Sequence, residues 1–311
     1  MRHPPYHLRP NKMVDRLLLI EVLRRLEKSA DLSKYTYYGF GGPYLEEFRL
    51  LYEICPQIGM VSIEEDNETY KRQKFHLPCG SLTLLKTRLE SFLAQYDPGD
   101  EKSVFWLDYT GLEYGDFENF MLLLNKVAAN SIVKVTLRAE PRDYFNKEKE
   151  FRAKFELVMP DPLEDPPSLS RDFATLVQNM LRVAAQRALP SGIPHTYQPI
   201  SSFYYSDGTW MVTVTGIVCL RTDAAAFRKL YQTWPYANLQ WRTPKKIDVP
   251  TLTTKERLHL AKHLPCAGAA GKKLVKTLGY LIDEDRSRSE AKMKQYADFH
   301  RYFPYFVRAA P

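Results

Sequence analysis

Apolar positions in the first half of the chain fall into short runs that alternate with helically spaced stretches. Tyr35–Tyr38, Met60–Glu64 (MVSIE), Ser81–Leu85, Val104–Asp108 (VFWLD) and Ile132–Leu137 (IVKVTL) each read as a strand. Between them, Pro43–Cys55, Asn67–Phe75, Glu90–Tyr96 and Phe117–Ala129 carry helical patterns, the first opened by a proline in its first turn. Strands separated by helices predict a parallel sheet covered on both faces. Ahead of them, Val14–Glu27 puts Leu17, Leu18, Leu23 and Leu26 on one helical face, with Asp15, Arg16, Arg24 and Arg25 largely opposite.

The alternation breaks over residues 140–167, where charge and proline (EPRDYFNKEKEFRAKF, then MPDPLEDPP) predict a loop or lid inserted after the fifth strand. Asp172–Ala188 resumes as a helix. Two strand patterns follow, Ile200–Tyr205 and Trp210–Leu220, joined by Ser206-Asp207-Gly208-Thr209, and Asp-Gly suits a tight type I′ hairpin. From Asp223 onward, helical stretches (Ala224–Tyr231, Thr254–His263, Lys272–Leu278, Glu290–Phe303) are punctuated by Pro235, Pro244, Pro250 and Pro265. The expected organisation is a basic segment and helix over 1–34, an α/β domain over 35–222 with an insert at about 140–170, and a helical extension over 223–311.

Composition changes this picture little. At 44% hydrophobic residues the 311-residue chain can bury a real core. No apolar run is long enough to span a membrane, and Met1-Arg2-His3-Pro4-Pro5 does not read as a secretory signal. Cys55, Cys79, Cys219 and Cys266 lie far apart, which argues against a metal site and fits free thiols in a cytoplasmic protein. An excess of 44 Lys and Arg over 37 Asp and Glu, net +7, favours an anionic partner, nucleic acid (RNA or DNA) first, against the plain alternative of a basic protein that binds none.

The chemistry centres on Tyr37–Tyr44, YYGFGGPY, a glycine turn after a strand and before a helix. A dinucleotide site wants G-x-G-x-x-G, with the helix N-terminus holding a pyrophosphate. Gly39 and Gly41 supply two glycines, but Tyr44 occupies the third place, Pro43 removes an N–H, and Glu46 and Glu47 put negative charge where phosphate belongs. S-adenosylmethionine carries no phosphate and is cationic, so it tolerates these carboxylates and needs only the close backbone approach that Gly39, Phe40, Gly41 and Gly42 permit. A carboxylate at the end of the second strand suits the ribose hydroxyls. Glu64 stands there, 25 residues beyond Gly39, with Glu65 and Asp66 as neighbouring alternatives.

From Tyr35 to Leu220 the chain resembles the class I S-adenosylmethionine-dependent methyltransferase superfamily. The resemblance rests on YYGFGG, the acidic MVSIEED, VFWLDYTG at the fourth strand, and the terminal hairpin. It implies a Rossmann-like, seven-stranded, mostly parallel sheet ending in an antiparallel hairpin, here with the helical C-terminal extension added, and S-adenosyl-L-methionine as cofactor. The third-strand end departs from the usual acidic residue and offers Thr87 and Arg88.

The resemblance also places the fourth-strand end, Leu107-Asp108-Tyr109-Thr110-Gly111, beside the transferable methyl. Methyl transfer is an in-line displacement helped by alignment and acceptor deprotonation. Asp108 could accept from an acceptor hydroxyl or amine or hold the methionine ammonium, and Tyr109 could stack on a planar acceptor; alternatively Asp108 caps a turn and Tyr109 packs. The motif lacks the Pro-Pro box of base-amine methyltransferases and the Pro-Cys pair of cytosine C5 enzymes. Lys12 and Asp108 match two places of the Lys-Asp-Lys-Glu tetrad of ribose 2′-O-methyltransferases, but Arg138 stands where a second lysine is wanted.

Arg138, Glu140 and Arg142 either bind an anionic substrate, frame the insert, or form a solvated loop. His7, Arg9, Asn11 and Lys12 either cover the pocket, touch phosphates, or form an exposed basic tail. In the extension, Lys272, Lys273 and Lys276 with interleaved aromatics could meet a nucleic acid or a protein partner, while Tyr296, Phe299 and Phe303 at helical spacing read as core. Three functions follow: a methyltransferase acting on an oxygen or nitrogen of a macromolecule, nucleic acid before protein; a catalytically silent relative used in assembly; or a small-molecule O-methyltransferase.

Overall fold

The computed structural model describes residues 9–161 and 166–303. Strands β1 (Tyr35–Gly39), β2 (Gly59–Glu64), β3 (Leu82–Lys86), β4 (Lys102–Asp108) and β5 (Ser131–Arg138) run parallel in the spatial order β3-β2-β1-β4-β5. Before β1 comes helix α1 (Pro10–Leu26), and α2 (Glu46–Ile54), α3 (Asn67–Phe75), α4 (Leu89–Gln95) and α5 (Tyr114–Lys126) separate the strands. Later in the chain, β6 (His195–Ser206) and β7 (Trp210–Leu220) complete the expected seven, with β7 antiparallel to β5 from Ser131↔Val218 to Arg138↔Met211. A short β8 (Lys245–Ile247) adds an eighth strand beside β6; three residues between prolines carry no readable alternation.

Strand order reverses between β1 and β4, the first leading outward to β2 and β3, the second to β5. Such a switch point opens a crevice at the carboxyl ends of the two strands. Gly39 is in register with Trp106, so the chain after Gly39 and the end of β4 at Asp108 leave the sheet side by side.

The sheet's two faces differ. Phe105, Leu107, Val133 and Val135 enter one large apolar core with Leu93, Phe117, Phe120, Val177 and Leu181. Alternation turns Trp106, Lys134 and Thr136 the other way. There the Trp106 indole donates to Thr136 Oγ1 at 2.9 Å, Thr136 Oγ1 lies 3.1 Å from Thr213 Oγ1, and the buried Lys134 ammonium sits 4.3 Å from the Trp106 ring centroid.

The described chain forms two compact units, Leu19–Tyr204 with Thr209–Lys245, and the remainder. The larger holds the parallel strands, α2 to α5, α6 (Glu148–Phe155), α7 (Ser170–Ala188) and α8 (Ala224–Tyr231). In the smaller, α9 (Thr254–Ala261), α10 (Ala270–Leu278) and α11 (Arg286–Phe299) bear out the expected helices. Tyr296, Phe299 and Phe303 are buried there, as their spacing predicts. A Cβ on Gly271 would fall 2.0 Å from the Glu290 carbonyl oxygen, so α10 and α11 pack through a glycine contact. Two further aromatics interleaved with the lysines of the extension, Tyr305 and Phe306, lie outside the described residues.

Four expectations change. Helix α1 starts at Pro10, and Asp15 and Arg16 are buried instead of solvated, because α1 is covered on more than one side. The described residues 140–161 of the expected insert are not a plain loop: their helix α6 buries Phe151 and Phe155, whose rings meet Tyr144 and Phe173 at centroid distances of 4.7–6.3 Å. The turn after β6 is not type I′, which needs two positive φ values; Gly208 alone has one, at 111°. Asp207 instead turns its carboxylate to the start of α1, accepting from Lys12 N–H at 2.9 Å, Asn11 N–H at 3.3 Å and Asn11 Nδ2 at 3.0 Å. The fourth change, at Pro43, belongs to the site.

Candidate active site

The glycine turn folds tightly. Gly42 N–H donates to the Phe40 carbonyl at 2.8 Å, and Gly41 and Gly42 have φ of 69° and 51°. A side chain at Gly41 would put its Cβ 2.6 Å from Leu45 Cδ2 and 2.8 Å from the Phe48 ring, so the position is closed sterically as well as conformationally. At Gly42 a Cβ would meet nothing within 4 Å among the described residues: that side of the turn is open to them. Pro43 does not begin α2. It lies inside a 3-10 turn, Gly42–Tyr44, followed by Leu45 at φ 55°, and α2 starts at Glu46. The left-handed Leu45 breaks the helical path that a proline at the first turn would otherwise open.

Glu47 then explains why carboxylates follow the glycines. It is buried, and its Oε1 accepts from Gly41 N–H at 2.9 Å. That N–H is a donor a pyrophosphate would otherwise claim, so a phosphate ligand would have to displace a carboxylate already in place. On the other side, Gln73 donates to the Phe40 and Gly42 carbonyls. Tyr44, where a dinucleotide site has glycine, lies under the Arg72 guanidinium and accepts from it at 2.6 Å.

The end of β2 separates its three acids. Asp66 caps α3, accepting from Thr69 N–H at 2.8 Å. Glu65 is exposed and paired with Arg88 at 3.3 Å. Glu64 is half-buried; burial raises its carboxyl above the ordinary value, while the Asp66 N–H, donating to it at 2.8 Å, pulls the other way. Of the three, Glu64 is the one whose environment rewards a hydroxyl donor. Beside it, Glu65, Asp66, Lys86, Thr87 and Arg88 line an open cleft of about 430 Å³.

Asp108 is half-buried at the end of β4, in register with Thr136. Next to it the Tyr109 ring meets Phe40 edge-on at 5.9 Å, joining the glycine turn to the fourth-strand end. Burial, then the charge of Asp116, holds the Tyr109 hydroxyl protonated far above its ordinary value, with Asn119 opposing. Tyr109 can therefore stack or donate but cannot serve as a base near neutrality. Asp116 is a group the sequence reading missed: burial raises its carboxyl to about 6, although it accepts from Glu113 N–H at 2.8 Å in a capping box. The spacing Glu113-x-x-Asp116 signals that box, not the burial.

Arg138 reaches Asp143 in a two-pronged contact, 2.5 Å and 3.0 Å, and Asp143 is the main cause of its raised pKa. Glu140 lies 3.8 Å from Arg142. Arg9 and Lys12 belong to the smaller unit, where Lys12 is buried in the first turn of α1 and its ammonium lies 6.0 Å from the Tyr205 ring centroid. His7 lies outside the described residues. The larger unit thus brings together Gly39, Phe40, Gly41, Gly42, Asp108 and Tyr109 at the switch point, with Glu64, Glu65 and Thr87 along the neighbouring strand ends.

Comparison with curated proteins yields no match. Among solved structures, the chain is similar to the plantazolicin methyltransferase BpumL bound to S-adenosylhomocysteine and a triazolic desmethylPZN analogue, at 10% identity and TM-score 0.42 over 70% of this chain and 86% of that one. It is similar to a fibrillarin/Nop5p complex at 8% identity and TM-score 0.39, covering 66% and 82%. It is also similar to a "putative transferase", PH0793 of Pyrococcus horikoshii, at 10% identity and TM-score 0.38, covering 65% of this chain and 64% of that chain's length. The family model described as "Putative O-methyltransferase" matches residues 4–311, nearly the whole sequence, and the chain belongs to that O-methyltransferase family.

Proposed function

We propose that this chain binds S-adenosyl-L-methionine at the β1–β4 switch point and directs its methyl group to an oxygen of a nucleic acid. The observation that carries the cofactor reading is the Glu47 carboxylate seated on Gly41 N–H. It makes the glycine turn a poor phosphate cradle and a compatible neighbour for a cationic, phosphate-free ligand. When bound, the cofactor supplies an electrophilic methyl on a sulfonium. In this reading Gly42 gives the open side of the turn to the cofactor backbone, and Glu64 accepts the ribose hydroxyls. Asp108 accepts the acceptor's proton or orients its hydroxyl, while Tyr109 stays protonated and walls the site.

The acceptor reading is supported by charge. Residues 246–303 hold twelve Lys and Arg against seven Asp and Glu, a net +5 of the chain's +7. Lys272, Lys273 and Lys276 on α10 are exposed. Incubation with S-adenosylmethionine labelled in its methyl group, separately with bulk RNA, DNA and a protein extract, tests the proposal. Label in nucleic acid, lost in Asp108→Asn and weakened by added salt, is the expected result. Label in protein alone would overturn the acceptor reading, and transfer undiminished in Asp108→Asn would overturn the role of Asp108.

A further inference from the structure

We infer that Gln73 is a positioning residue for the cofactor turn, acting from α3 without touching the ligand; this rests on the reading of Gly39–Gly42 as the S-adenosylmethionine site. Gln73 is fully buried, and its amide is fully used. Nε2 donates to the Phe40 carbonyl at 2.8 Å and the Gly42 carbonyl at 3.0 Å, and Oε1 lies 3.2 Å from Ser62 Oγ. Ser62, fully buried on β2, is itself 3.3 Å from the Phe40 carbonyl. With Glu47 on Gly41 N–H, three side chains from β2, α2 and α3 fix the backbone groups of three consecutive turn residues.

The need for such bracing follows from glycine. Gly41 and Gly42 have the largest backbone freedom of any residues, and the Gly42 N–H to Phe40 carbonyl bond constrains only the width of the turn. Which way the intervening peptides face is set by their outer partners. Gln73 meets that requirement because one atom offers two N–H donors and the other an acceptor. Glutamate has no donor when ionised, and asparagine is shorter by one carbon–carbon bond, about 1.5 Å. The inward carbonyls leave the open face of Gly42 to the cofactor.

Calorimetric titration with S-adenosylmethionine, paired with hydrogen exchange of the peptide covering Phe40–Leu45, tests this on the full chain. Gln73→Leu keeps similar bulk and removes all three of these hydrogen bonds. It is expected to weaken S-adenosylmethionine binding by about tenfold or more and to speed exchange in that peptide while β4 and β5 peptides keep their protection. Val177→Ala, a fully buried change on α7 away from the turn, serves as the stability control. It is expected to lower the melting midpoint and leave the dissociation constant within about twofold. Should Gln73→Leu fail to fold, Ser62→Ala carries the test with a loss of about threefold. Wild-type affinity and unchanged local exchange in the Gln73 variant would overturn the inference. If the wild type itself does not bind S-adenosylmethionine, the cofactor reading fails, and the exchange rates still decide whether Gln73 shapes the turn.

Discussion

Alanine at Gly41 and at Gly42 should separate two costs that coincide in most glycine turns. Both residues have positive φ, where an alanine pays about 1–2 kcal/mol, offset by roughly 0.4–1 kcal/mol from the stiffer unfolded chain. Gly42→Ala adds nothing further, since its Cβ would have open space, and should cost about 1 kcal/mol or less. Gly41→Ala also drives its Cβ to 2.6 Å from Leu45 and 2.8 Å from Phe48, buried residues that cannot retreat freely. Overpacking of this kind costs about 1–3 kcal/mol more. The two variants should therefore differ by about 2 kcal/mol, or roughly 4–8 °C in melting midpoint, measured by calorimetry without cofactor. S-adenosylmethionine binding should show the opposite economy in Gly42→Ala, with affinity lost out of proportion to stability because the methyl fills the ligand's side. Equal midpoints would refute the steric reasoning, and full affinity in Gly42→Ala would refute the open side as the approach of the cofactor.

Phe151→Ala should destabilise the cofactor-free protein by about 3–5 kcal/mol, as for a buried ring; denaturation showing under 1 kcal/mol would return the insert to a surface loop. Asp207→Ala should cost about 1–2 kcal/mol by uncapping α1, with faster hydrogen exchange in the first turn of that helix, and unchanged exchange would contradict it. For Asp116, whose carboxyl is raised from 3.8 to about 6, the stability it contributes is complete below pH 3.8 and lost as pH rises through 6. Asp116→Asn, which can still accept from Glu113 N–H, should match the wild type at low pH and exceed it above pH 6, by at most about 3 kcal/mol; parallel melting curves from pH 4 to 8 would exclude the effect.

The sequence showed the elements best where pattern and punctuation agree. Asn67–Phe75, Trp210–Leu220 and Ala224–Tyr231 have the boundaries read from the chain, each closed by a turn signal or a change of period. It failed where local signals compete. Pro43 reads as a helix start, but positive φ at Gly41, Gly42 and Leu45 delays α2 to Glu46. The stretch EKEFRAKF reads as charge, although Phe151 and Phe155 stand one helical turn apart and share the buried side of α6. Within the site, the glycines, Glu64 and Asp108 were visible because their chemistry depends on place in the chain. Gln73, Ser62 and the contact of Glu47 with Gly41 were not. Those bonds join β2, α2 and α3, and only the folded approach of three elements brings them about. Asp207 was read as a turn former, and its service to α1 spans 195 residues of sequence.

Titration of the folded wild-type protein with S-adenosylmethionine and, separately, with NAD tests the account most directly. The occupied Gly41 N–H and the half-buried Glu64 predict one S-adenosylmethionine bound per chain, no detectable NAD, and at least about a tenfold loss of affinity in Glu64→Ala. Binding of NAD, or no heat with S-adenosylmethionine from a demonstrably folded protein, would contradict it.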